Sequence, residues 1–354
     1  MSLTLIAAEQ AVLRLADFDT VIDARSESEY AEDHLPGALN WPTLNDAERQ
    51  FIGTTYKQVN AFEAKKRGAA LAARNIAAHI ERAVIDKPRD WSPLLYCWRG
   101  GKRSGSLALV LDQIGFRVHL VEGGYKAFRA AMLQDIEARS SALRFQVVCG
   151  TTGSGKTRLL HALQRAGAQV LDLEALAQHR SSVLGAIPGV PQPSQKRFDT
   201  MVWDALRGYD SARVVFVESE SKKVGNVAVA EPLMQRIRQS PCINLELPLD
   251  ERVALLLEDY AYFVANPEHF CNRLDVLTAQ RGKAVVQAWK ESVLRGDLGA
   301  VVQDLLLSHY DPVYVQSMQR NFGQFPQAVA LQPAGRSASA MDVAAQELRN
   351  WVAG

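Results

Sequence analysis

The segment ALRFQVVCGTTGSGKTRLLHALQRAG, from Ala142 to Gly167, combines three patterns that together predict a fold. An apolar run typical of a buried strand leads directly into a glycine-rich loop, GTTGSGKT from Gly150 to Thr157, and then into an amphipathic segment that predicts a helix. The loop matches the pattern G-x-x-x-x-G-K-[ST] in the strand, loop and helix context that this motif requires. The sequence therefore predicts an α/β domain with a phosphate-binding P-loop.

The residues of this loop suit a diphosphate. Its glycines let consecutive N–H groups face inward, and the helix N-terminus adds partial positive charge. We expect Lys156 to reach the outer phosphate and Thr157 to bind Mg²⁺. The motif indicates a phosphorylated ligand without requiring a nucleotide, because any diphosphate with Mg²⁺ would satisfy the same donors. The predicted diphosphate-binding residues are Gly150, Gly153, Ser154, Gly155, Lys156 and Thr157.

A second magnesium ligand is expected at the end of a neighbouring strand. Asp172 in VLDLE and Glu218 in VFVESE both follow apolar runs and are both candidates, together with Thr157. An acidic residue at a strand end is also often only a helix cap in contact with solvent. The sequence does not decide whether Asp172 or Glu218 binds the metal.

The chain organisation indicates two domains, as its 354 residues exceed the usual size of one core. Short β-rich runs alternate with helical segments in the first half, which predicts a mostly parallel sheet. We place the boundary near Ser140, with a first domain at 1–139 and a P-loop domain at 140–354. The pattern from Asp250 to about Tyr314 is mostly helical, and Gly185–Gln195 is the best candidate for a mobile loop.

Composition and charge exclude little. Apolar residues make up 47% and charged residues 22% of the chain, as in ordinary globular proteins. No segment has the pattern of a secretory signal or the length of a membrane span, so we expect a cytoplasmic protein with no membrane partner. The four cysteines lie far apart, which indicates neither a zinc site nor a disulfide framework. The net charge of +1 neither supports nor excludes a polyanionic partner.

A second loop, YCWRGGKRSG from Tyr96 to Gly105, places a cysteine between an apolar run and a predicted helix. The cations Arg99, Lys102 and Arg103 and the helix N-terminus favour the thiolate form of Cys97. Inward N–H groups would hold an oxyanion beside the sulfur. The loop therefore predicts a nucleophile that meets an anionic group, whereas the other three cysteines are expected to be small buried side chains.

These features resemble the rhodanese (sulfurtransferase) family over most of the first 130 residues. The resemblance is carried by VIDARSESEY with Asp23 and Arg25, HLPGALNWP, the Cys97 loop and VEGGYKAF. It implies that Cys97 carries sulfur or a related chalcogen. The spacing from Cys97 to Arg103 is C-x5-R, one residue longer than in the usual sulfurtransferase loop and equal to that of cysteine-dependent phosphatases of the same fold. A wider loop favours a tetrahedral, phosphate-like donor.

The combination of a rhodanese domain with a P-loop domain resembles the bacterial tRNA 2-selenouridine synthases along nearly the full length. Further matching segments are NDAERQFIGTTYKQ, DLEALAQHRSSVLG, QPSQKRFD, VFVESESKKVG and HYDPVYVQSMQ. The resemblance implies a transferase that replaces sulfur by selenium in the wobble-position 2-thiouridine of tRNA. Its co-substrates would be geranyl diphosphate, for S-geranylation, and selenophosphate, for selenation. It also implies a partner enzyme that supplies selenophosphate and no tightly bound organic cofactor. The P-loop itself predicts Mg²⁺ as the metal ion.

The resemblance assigns roles to individual residues. Cys97 and Arg103 would be catalytic, and the selenophosphate-binding loop would comprise Trp98, Arg99, Gly100, Gly101 and Lys102. From the need for a diphosphate-binding loop, and not from the resemblance, we infer that the P-loop holds geranyl diphosphate, and we expect Leu255, Leu256 and Phe263 to lie around the prenyl tail. His179 and Arg180 are candidate substrate contacts. The candidate tRNA-binding cations are Lys57, Lys65, Lys66, Arg67, Arg74, Arg236, Arg238, Arg273, Arg281 and Lys283.

Two other functions fit the same motifs. One is a cysteine phosphatase or thiosulfate sulfurtransferase fused to a small-molecule kinase, with Cys97 acting on a phosphoester or persulfide and Lys156 on ATP. The other is a non-enzymatic protein, in which an inert rhodanese-like module recruits a partner to a nucleotide switch. The complete loop from Cys97 to Arg103 argues against the inert module.

Overall fold

The computed structural model describes residues 3–180, 182 and 184–353, with side chains described to residue 351. The chain divides into two compact units. The first contains the chain up to Ala138 together with Pro193–Asp204, and the second contains Arg139–Gln192 and the chain from Ala205 onward. The predicted division did not anticipate that Pro193–Asp204 would group with the first unit.

The first unit is built on a five-stranded sheet. Its strands are β1 (Thr4–Ile6), β2 (Thr20–Asp23), β3 (Leu39–Asn40), β4 (Pro93–Tyr96) and β5 (His119–Val121). Its helices are α1 (Ala8–Leu13), α2 (Glu27–Glu32), α3 (Asp46–Gln58), α4 (Ala61–Ala83), α5 (Lys102–Ile114) and α6 (Gly124–Ala142). The strand order is β1-β5-β4-β2-β3 and every pairing is parallel. The predicted mostly parallel sheet is confirmed.

The central strands of the first unit have continuous apolar sequences because they are buried in its core. Strands β2 and β4 are covered on their faces by helices, so Ile22 and Leu95 are fully buried. They pack in one cluster with Trp41, Leu107 and Phe116. The Cys97 loop therefore begins at the carboxyl end of a buried central strand, the edge where α/β sheets bind ligands.

The second unit has a five-stranded sheet and a large helical part. Its strands are β6 (Arg144–Cys149), β7 (Gln169–Leu171), β8 (Val214–Glu218), β9 (Lys223–Val224), β10 (Val227–Ala228), β11 (Cys242–Leu245) and β12 (Val329–Leu331). The helices that follow β6 in the chain are α7 (Lys156–Arg165), α8 (Leu173–Ala177), α9 (Gln195–Arg207), α10 (Glu231–Arg238), α11 (Leu249–Asp259), α12 (Ala261–Ala265), α13 (Pro267–Leu274), α14 (Thr278–Arg281), α15 (Lys283–Leu294), α16 (Leu298–Asp304), α17 (Asp311–Asn321) and α18 (Ala338–Ala353). A π-helix, Leu305–Tyr310, joins α16 to α17.

The strand order β12-β11-β6-β8-β7 places β6 at the centre of the parallel sheet, and β9 and β10 form a separate antiparallel pair. The P-loop follows β6, so the predicted strand, loop and helix arrangement is confirmed. Gly155 has a φ of +89°, a backbone conformation that favours glycine at the start of α7. The predicted helical region from Asp250 to Tyr314 is also confirmed, as α11 to α16 and the π-helix.

Within the described part of the chain, no helix has both the length and the apolar composition required to cross a membrane.

Candidate active sites

The Cys97 loop connects β4 to α5 and forms an open pocket. Cys97 as a whole is 3% exposed and is one of the residues that line the pocket. The backbone N–H of Gly101 donates to Sγ of Cys97 at 3.2 Å. The pocket is lined by Cys97, Trp98, Arg99, Gly101, Lys102 and Arg103. The predicted loop residues therefore share one concave surface except for Gly100, which packs against the backbone of Val121 and Gly123.

The N-terminus of α6 fixes the backbone of this loop. The N–H of Tyr125 donates to the carbonyl of Cys97 at 2.8 Å, and that of Lys126 donates to the carbonyl of Trp98 at 3.1 Å. Gly124 has a φ of +60°, and a Cβ atom at this position would overlap the Cys97 carbonyl oxygen. The segment VEGGYKAF thus acts as the support of the cysteine loop.

Arg103 lies in the pocket wall with its guanidinium held by a carboxylate. It donates to Glu29 of α2 at 2.5 Å, and Arg49 of α3 contacts the same carboxylate at 3.0 Å. Burial alone would raise the pKa of Glu29, but the bonds from Arg103 lower it to about 2, so this carboxylate is ionised at neutral pH. Sequence reasoning missed Glu29, although it lies in the quoted segment VIDARSESEY.

Asp23 and Arg25 form a buried pair beneath the site. Nη2 of Arg25 donates to the Asp23 carboxylate and to the carbonyl of Asp33, each at 2.6 Å. The guanidinium also lies 4.1 Å from the ring centroid of Tyr125. Because both side chains are almost fully buried, these two family residues support the fold and do not face the pocket.

Trp98 of the loop is flanked by two other side chains of the first unit. Its ring stacks on Tyr125 with centroids 5.5 Å apart, and Nζ of Lys196 lies 5.6 Å from its centroid. Lys196 also pairs with Glu32 at 2.8 Å. The segment QPSQKRFD therefore contributes a cation beside the cysteine loop, which its sequence alone did not indicate.

Lys156 and Tyr314 both bond the backbone of the P-loop at Gly150. Nζ of Lys156 donates to the carbonyl of Gly150 at 2.7 Å and lies 5.1 Å from the ring centroid of Tyr314. The hydroxyl of Tyr314 accepts from the Gly150 N–H at 2.8 Å and bonds the hydroxyl of Ser219 at 2.6 Å. Tyr314 thus ties α17 to the loop and to the end of β8.

Arg252 of α11 supports the same loop from the other side. Its guanidinium donates to the carbonyl of Thr152 at 2.7 and 2.9 Å and makes a two-bond pair with Asp311 at 2.6 and 3.0 Å. Arg252 is almost fully buried, so this pair is desolvated and geometrically fixed. The segment HYDPVYVQSMQ, which supplies Asp311 and Tyr314, is therefore a support of the P-loop.

Three glutamates converge beside Thr157. One carboxylate oxygen from each of Glu174, Glu218 and Glu220 lies within 4.8 Å of the others, and the Thr157 hydroxyl is 3.5 Å from Glu174. Within the described residues, Oε1 of Glu218 is buried without a hydrogen-bond partner. Burial and then the neighbouring carboxylates raise the pKa of Glu218, and burial and then Glu220 raise that of Glu174 to about 8. A hard divalent cation such as Mg²⁺ would satisfy these oxygens.

Asp172, the other acid considered for the metal, has a different environment. Its carboxylate accepts from the N–H of Ala175 at 2.8 Å as the N-cap of α8, and it lies 3.3 Å from Nε2 of His161. Glu174 and Glu220, which sequence reasoning missed, occupy the places beside Glu218. Each follows a strand end by a few residues, so counting every acid near those ends would have found them.

An apolar cavity of about 60 Å³ begins at Thr152 of the P-loop. It lies among side chains of α11, α12, α13, α16 and the π-helix, including Leu256, Phe263, Leu305 and Tyr310. Leu255 instead packs in the core around β6 and α7. Two of the three residues expected around a prenyl tail therefore line one cavity beside the phosphate-binding loop.

Arg180 lies next to this cavity wall, and His179 precedes it in the chain. Nη1 of Arg180 donates to the carbonyl of Asp259 at 2.5 Å, and its guanidinium is 4.8 Å from the ring centroid of Tyr260, which lines the cavity. His179 is buried, and burial and then Arg273 lower its pKa, so its imidazole is neutral at pH 7. Arg180 therefore positions an aromatic wall residue.

The candidate tRNA-binding cations fall in both units. Lys57, Lys65, Lys66, Arg67 and Arg74 are exposed on α3 and α4 of the first unit. In the second unit, Arg236 donates to the carbonyl of Leu143, and Lys283 is exposed at the start of α15. The remaining three, Arg238, Arg273 and Arg281, are partly buried.

Comparison with known proteins places both sites in a family context. The model of the tRNA 2-selenouridine synthase AAA domain matches residues 143–327, and the rhodanese-like domain model matches residues 7–131. A tRNA 2-selenouridine synthase of Marinobacter nauticus is 30% identical over 336 residues, covering 86% of this chain and 89% of that protein. The corresponding protein of Alcanivorax borkumensis is 32% identical over 337 residues, covering 86% and 90%.

A shorter match has higher identity. The tRNA 2-selenouridine synthase of Nitrosomonas europaea is 38% identical over 247 residues, which cover 68% of this chain and 63% of that protein. The two family models together span the cysteine loop and the P-loop. On this evidence the chain belongs to the tRNA 2-selenouridine synthase family.

Proposed function

We propose that this protein replaces the C2 sulfur of wobble-position 2-thiouridine in tRNA by selenium. The relatives in its family carry the name of that activity. The reaction would proceed by S-geranylation with geranyl diphosphate and then by selenation with selenophosphate. The P-loop would bind the diphosphate group of geranyl diphosphate, and the Cys97 loop would bind the phosphate group of selenophosphate. The two co-substrates therefore account for the two anion-binding loops of the chain.

The observation that carries this proposal is the apolar cavity that begins at Thr152. A diphosphate bound by the P-loop N–H groups would have its remaining atoms beside Leu256 and Phe263, in a lining that is mostly apolar and whose polar side chains are four hydroxyls, those of Thr152, Ser182, Tyr260 and Tyr310. A hydrocarbon tail fits that lining. The site therefore favours a prenyl diphosphate such as geranyl diphosphate over ATP.

In the first step, the sulfur of 2-thiouridine attacks C1 of geranyl diphosphate. The C–S bond forms, the C–O bond breaks, and its electron pair leaves with pyrophosphate. Lys156 and the N-terminus of α7 stabilise the charge that develops on the leaving group. Mg²⁺, if held by Thr157, Glu174, Glu218 and Glu220, would neutralise further charge on the diphosphate.

In the second step, selenium from selenophosphate attacks C2 of the S-geranyl base. The C–Se bond forms, the C–S bond breaks, and geranylthiol leaves with the electron pair and a proton, while water cleaves the Se–P bond to give phosphate. Arg99, Lys102 and Arg103 would hold the phosphate oxygens in the Cys97 pocket. Cys97 would assist this delivery from the pocket wall without itself forming a bond to selenium, because an S–Se bond would need a two-electron oxidant when phosphate is the other product. A separate enzyme would supply selenophosphate, in the cytoplasm.

Nucleoside mass spectrometry of tRNA tests this function. We compare cells that carry the wild type, Cys97→Ala or Lys156→Ala. We expect Cys97→Ala to lose 2-selenouridine and to accumulate the S-geranyl nucleoside, and Lys156→Ala to lose both. Wild-type levels of 2-selenouridine in both variants would refute the proposal. Turnover of aryl phosphates or thiosulfate together with ATP hydrolysis, without tRNA, would support the phosphatase or sulfurtransferase alternative.

A further inference from the structure

The helical hairpin formed by α3 and α4 carries a cluster of basic side chains. The segment from Arg49 to Arg74 contains six basic residues and one acidic residue, Glu63, which gives it a net charge of +5, whereas the whole chain has a net charge of +1. Glu63 is itself paired with Lys66 at 2.5 Å. The hairpin therefore presents excess positive charge on a chain that is otherwise slightly acidic.

The same hairpin exposes aromatic side chains that the fold does not bury. Phe51 is 47% exposed, Tyr56 is 60% exposed and Phe62 is 68% exposed. Two cations flank them, since Lys66 lies 5.1 Å from the Phe62 ring centroid and Arg67 lies 5.8 Å from that of Phe51. Exposed aromatic rings between cations form the surface that single-stranded nucleic acid uses, with bases on the rings and phosphates on the cations.

The base of the hairpin adjoins the Cys97 pocket. Arg49, near the start of α3, and Arg103, in the pocket wall, both contact the carboxylate of Glu29, at 3.0 and 2.5 Å. A strand of RNA that lies along the hairpin would therefore end beside the cysteine loop. The segment NDAERQFIGTTYKQ, which contains all of α3 and its N-cap, then has a purpose beyond packing against α4.

We propose that the α3–α4 hairpin is an RNA-docking arm that binds unpaired bases and phosphates of the tRNA substrate next to the Cys97 pocket. This inference depends on the proposed function for the identity of the RNA. Phe51, Tyr56 and Phe62 stack on unpaired bases, and Lys57, Lys65 and Lys66 neutralise phosphates. Contact of both kinds distinguishes an unpaired loop from a uniform duplex, which would offer phosphates but no free base faces.

Fluorescence anisotropy with full-length protein and tRNA carrying 2-thiouridine, at several salt concentrations, tests the arm. Loss of a stacking ring in Tyr56→Ala or Phe62→Ala should weaken binding at least about fivefold without changing the salt dependence. The double change Lys65→Ala and Lys66→Ala should weaken binding and reduce the slope of log K against log salt by about 1 to 2. All four positions are exposed, so folding should be retained, as a thermal melt will check.

Matched controls use an exposed aromatic and an exposed cation elsewhere. Trp351→Ala removes a ring that is 49% exposed on α18, and Arg14→Ala removes a cation whose side chain is 54% exposed. Both controls should bind tRNA as the wild type does. Equal affinity of the wild type and all hairpin variants would overturn the docking arm and leave the proposed function standing if the wild type still makes 2-selenouridine. Failure of the wild type to bind tRNA or to make 2-selenouridine would instead count against both.

Discussion

At the scale of single residues, Tyr314 links three parts of the P-loop site. Its hydroxyl accepts from Gly150 and bonds Ser219, and its ring lies against Lys156. These bonds, and the bond from Lys156 to the Gly150 carbonyl, hold the P-loop in one conformation. Binding of a diphosphate therefore loses less conformational entropy than it would with a disordered loop. Both the hydroxyl and the ring of Tyr314 therefore contact the P-loop site.

Removal of that hydroxyl is therefore expected to weaken anion binding. In Tyr314→Phe the ring remains beside Lys156, but the Gly150 N–H loses its acceptor, at a cost of about 1 to 3 kcal/mol. We expect the Kd for pyrophosphate, measured by isothermal titration calorimetry, to rise several-fold. Tyr209→Phe is the matched control, because it removes a hydroxyl that donates to the carbonyl of Val170 at 2.6 Å. A pyrophosphate Kd that is the same in both variants would show that the Tyr314 hydroxyl does not position the loop.

At the scale of elements, the candidate divalent cation site is formed by the ends of two strands and by the helix that follows one of them. Glu218 ends β8, Glu220 follows it, and Glu174 lies in the first turn of α8. The pKa values of Glu218 and Glu174 are raised by burial and by repulsion from the neighbouring carboxylates, and a bound cation would remove that repulsion. Asp172 is bound instead to the backbone of its own helix.

Magnesium should therefore stabilise the protein through Glu218 and not through Asp172. We expect MgCl₂ to raise the Tm of the wild type relative to EDTA, and Glu218→Gln to abolish that rise because the site loses its most buried carboxyl group. Asp172→Asn should keep the magnesium response, and its loss of cap strength should be about 1 kcal/mol or less. Differential scanning calorimetry with and without Mg²⁺ measures both. A magnesium response that vanishes in Asp172→Asn and persists in Glu218→Gln would reverse the assignment.

The contrast between these acids shows where sequence reasoning succeeds. Strands β2, β4, β6 and β8 are evident as apolar runs, and the P-loop follows from spacing alone, because both depend on neighbours in sequence. The choice between Asp172 and Glu218 depends on whether each carboxylate finds a local N–H, which is a property of the folded helix. The contacts of Glu29 and Tyr314 join residues 74 and 164 positions apart and have no local signature.

At the scale of the whole chain, the first unit is discontinuous. The chain leaves it at Ala138 and returns for Pro193–Asp204. Within that returning segment Trp203 is fully buried, its Nε1 donates to Asp135 at 2.7 Å, and its ring meets Phe128 edge-on at 5.6 Å. Thr200 donates to Asp33 at 2.9 Å. The first unit thus depends on a segment that begins more than fifty residues after Ala138, where the chain leaves this unit.

A cavity at Trp203 should therefore destabilise the first unit. Trp203→Ala removes a fully buried ring and is expected to cost about 3 to 5 kcal/mol. In hydrogen exchange, we expect lost protection in β2 and β4. Trp289→Ala is the matched control, because that indole is also buried and donates to Asp304 at 2.6 Å, but in the second unit. Its loss of protection should fall in α13 and α15, which it joins. If Trp203→Ala left β2 and β4 as protected as in the wild type, the returning segment would be an attachment to the first unit and not part of its core.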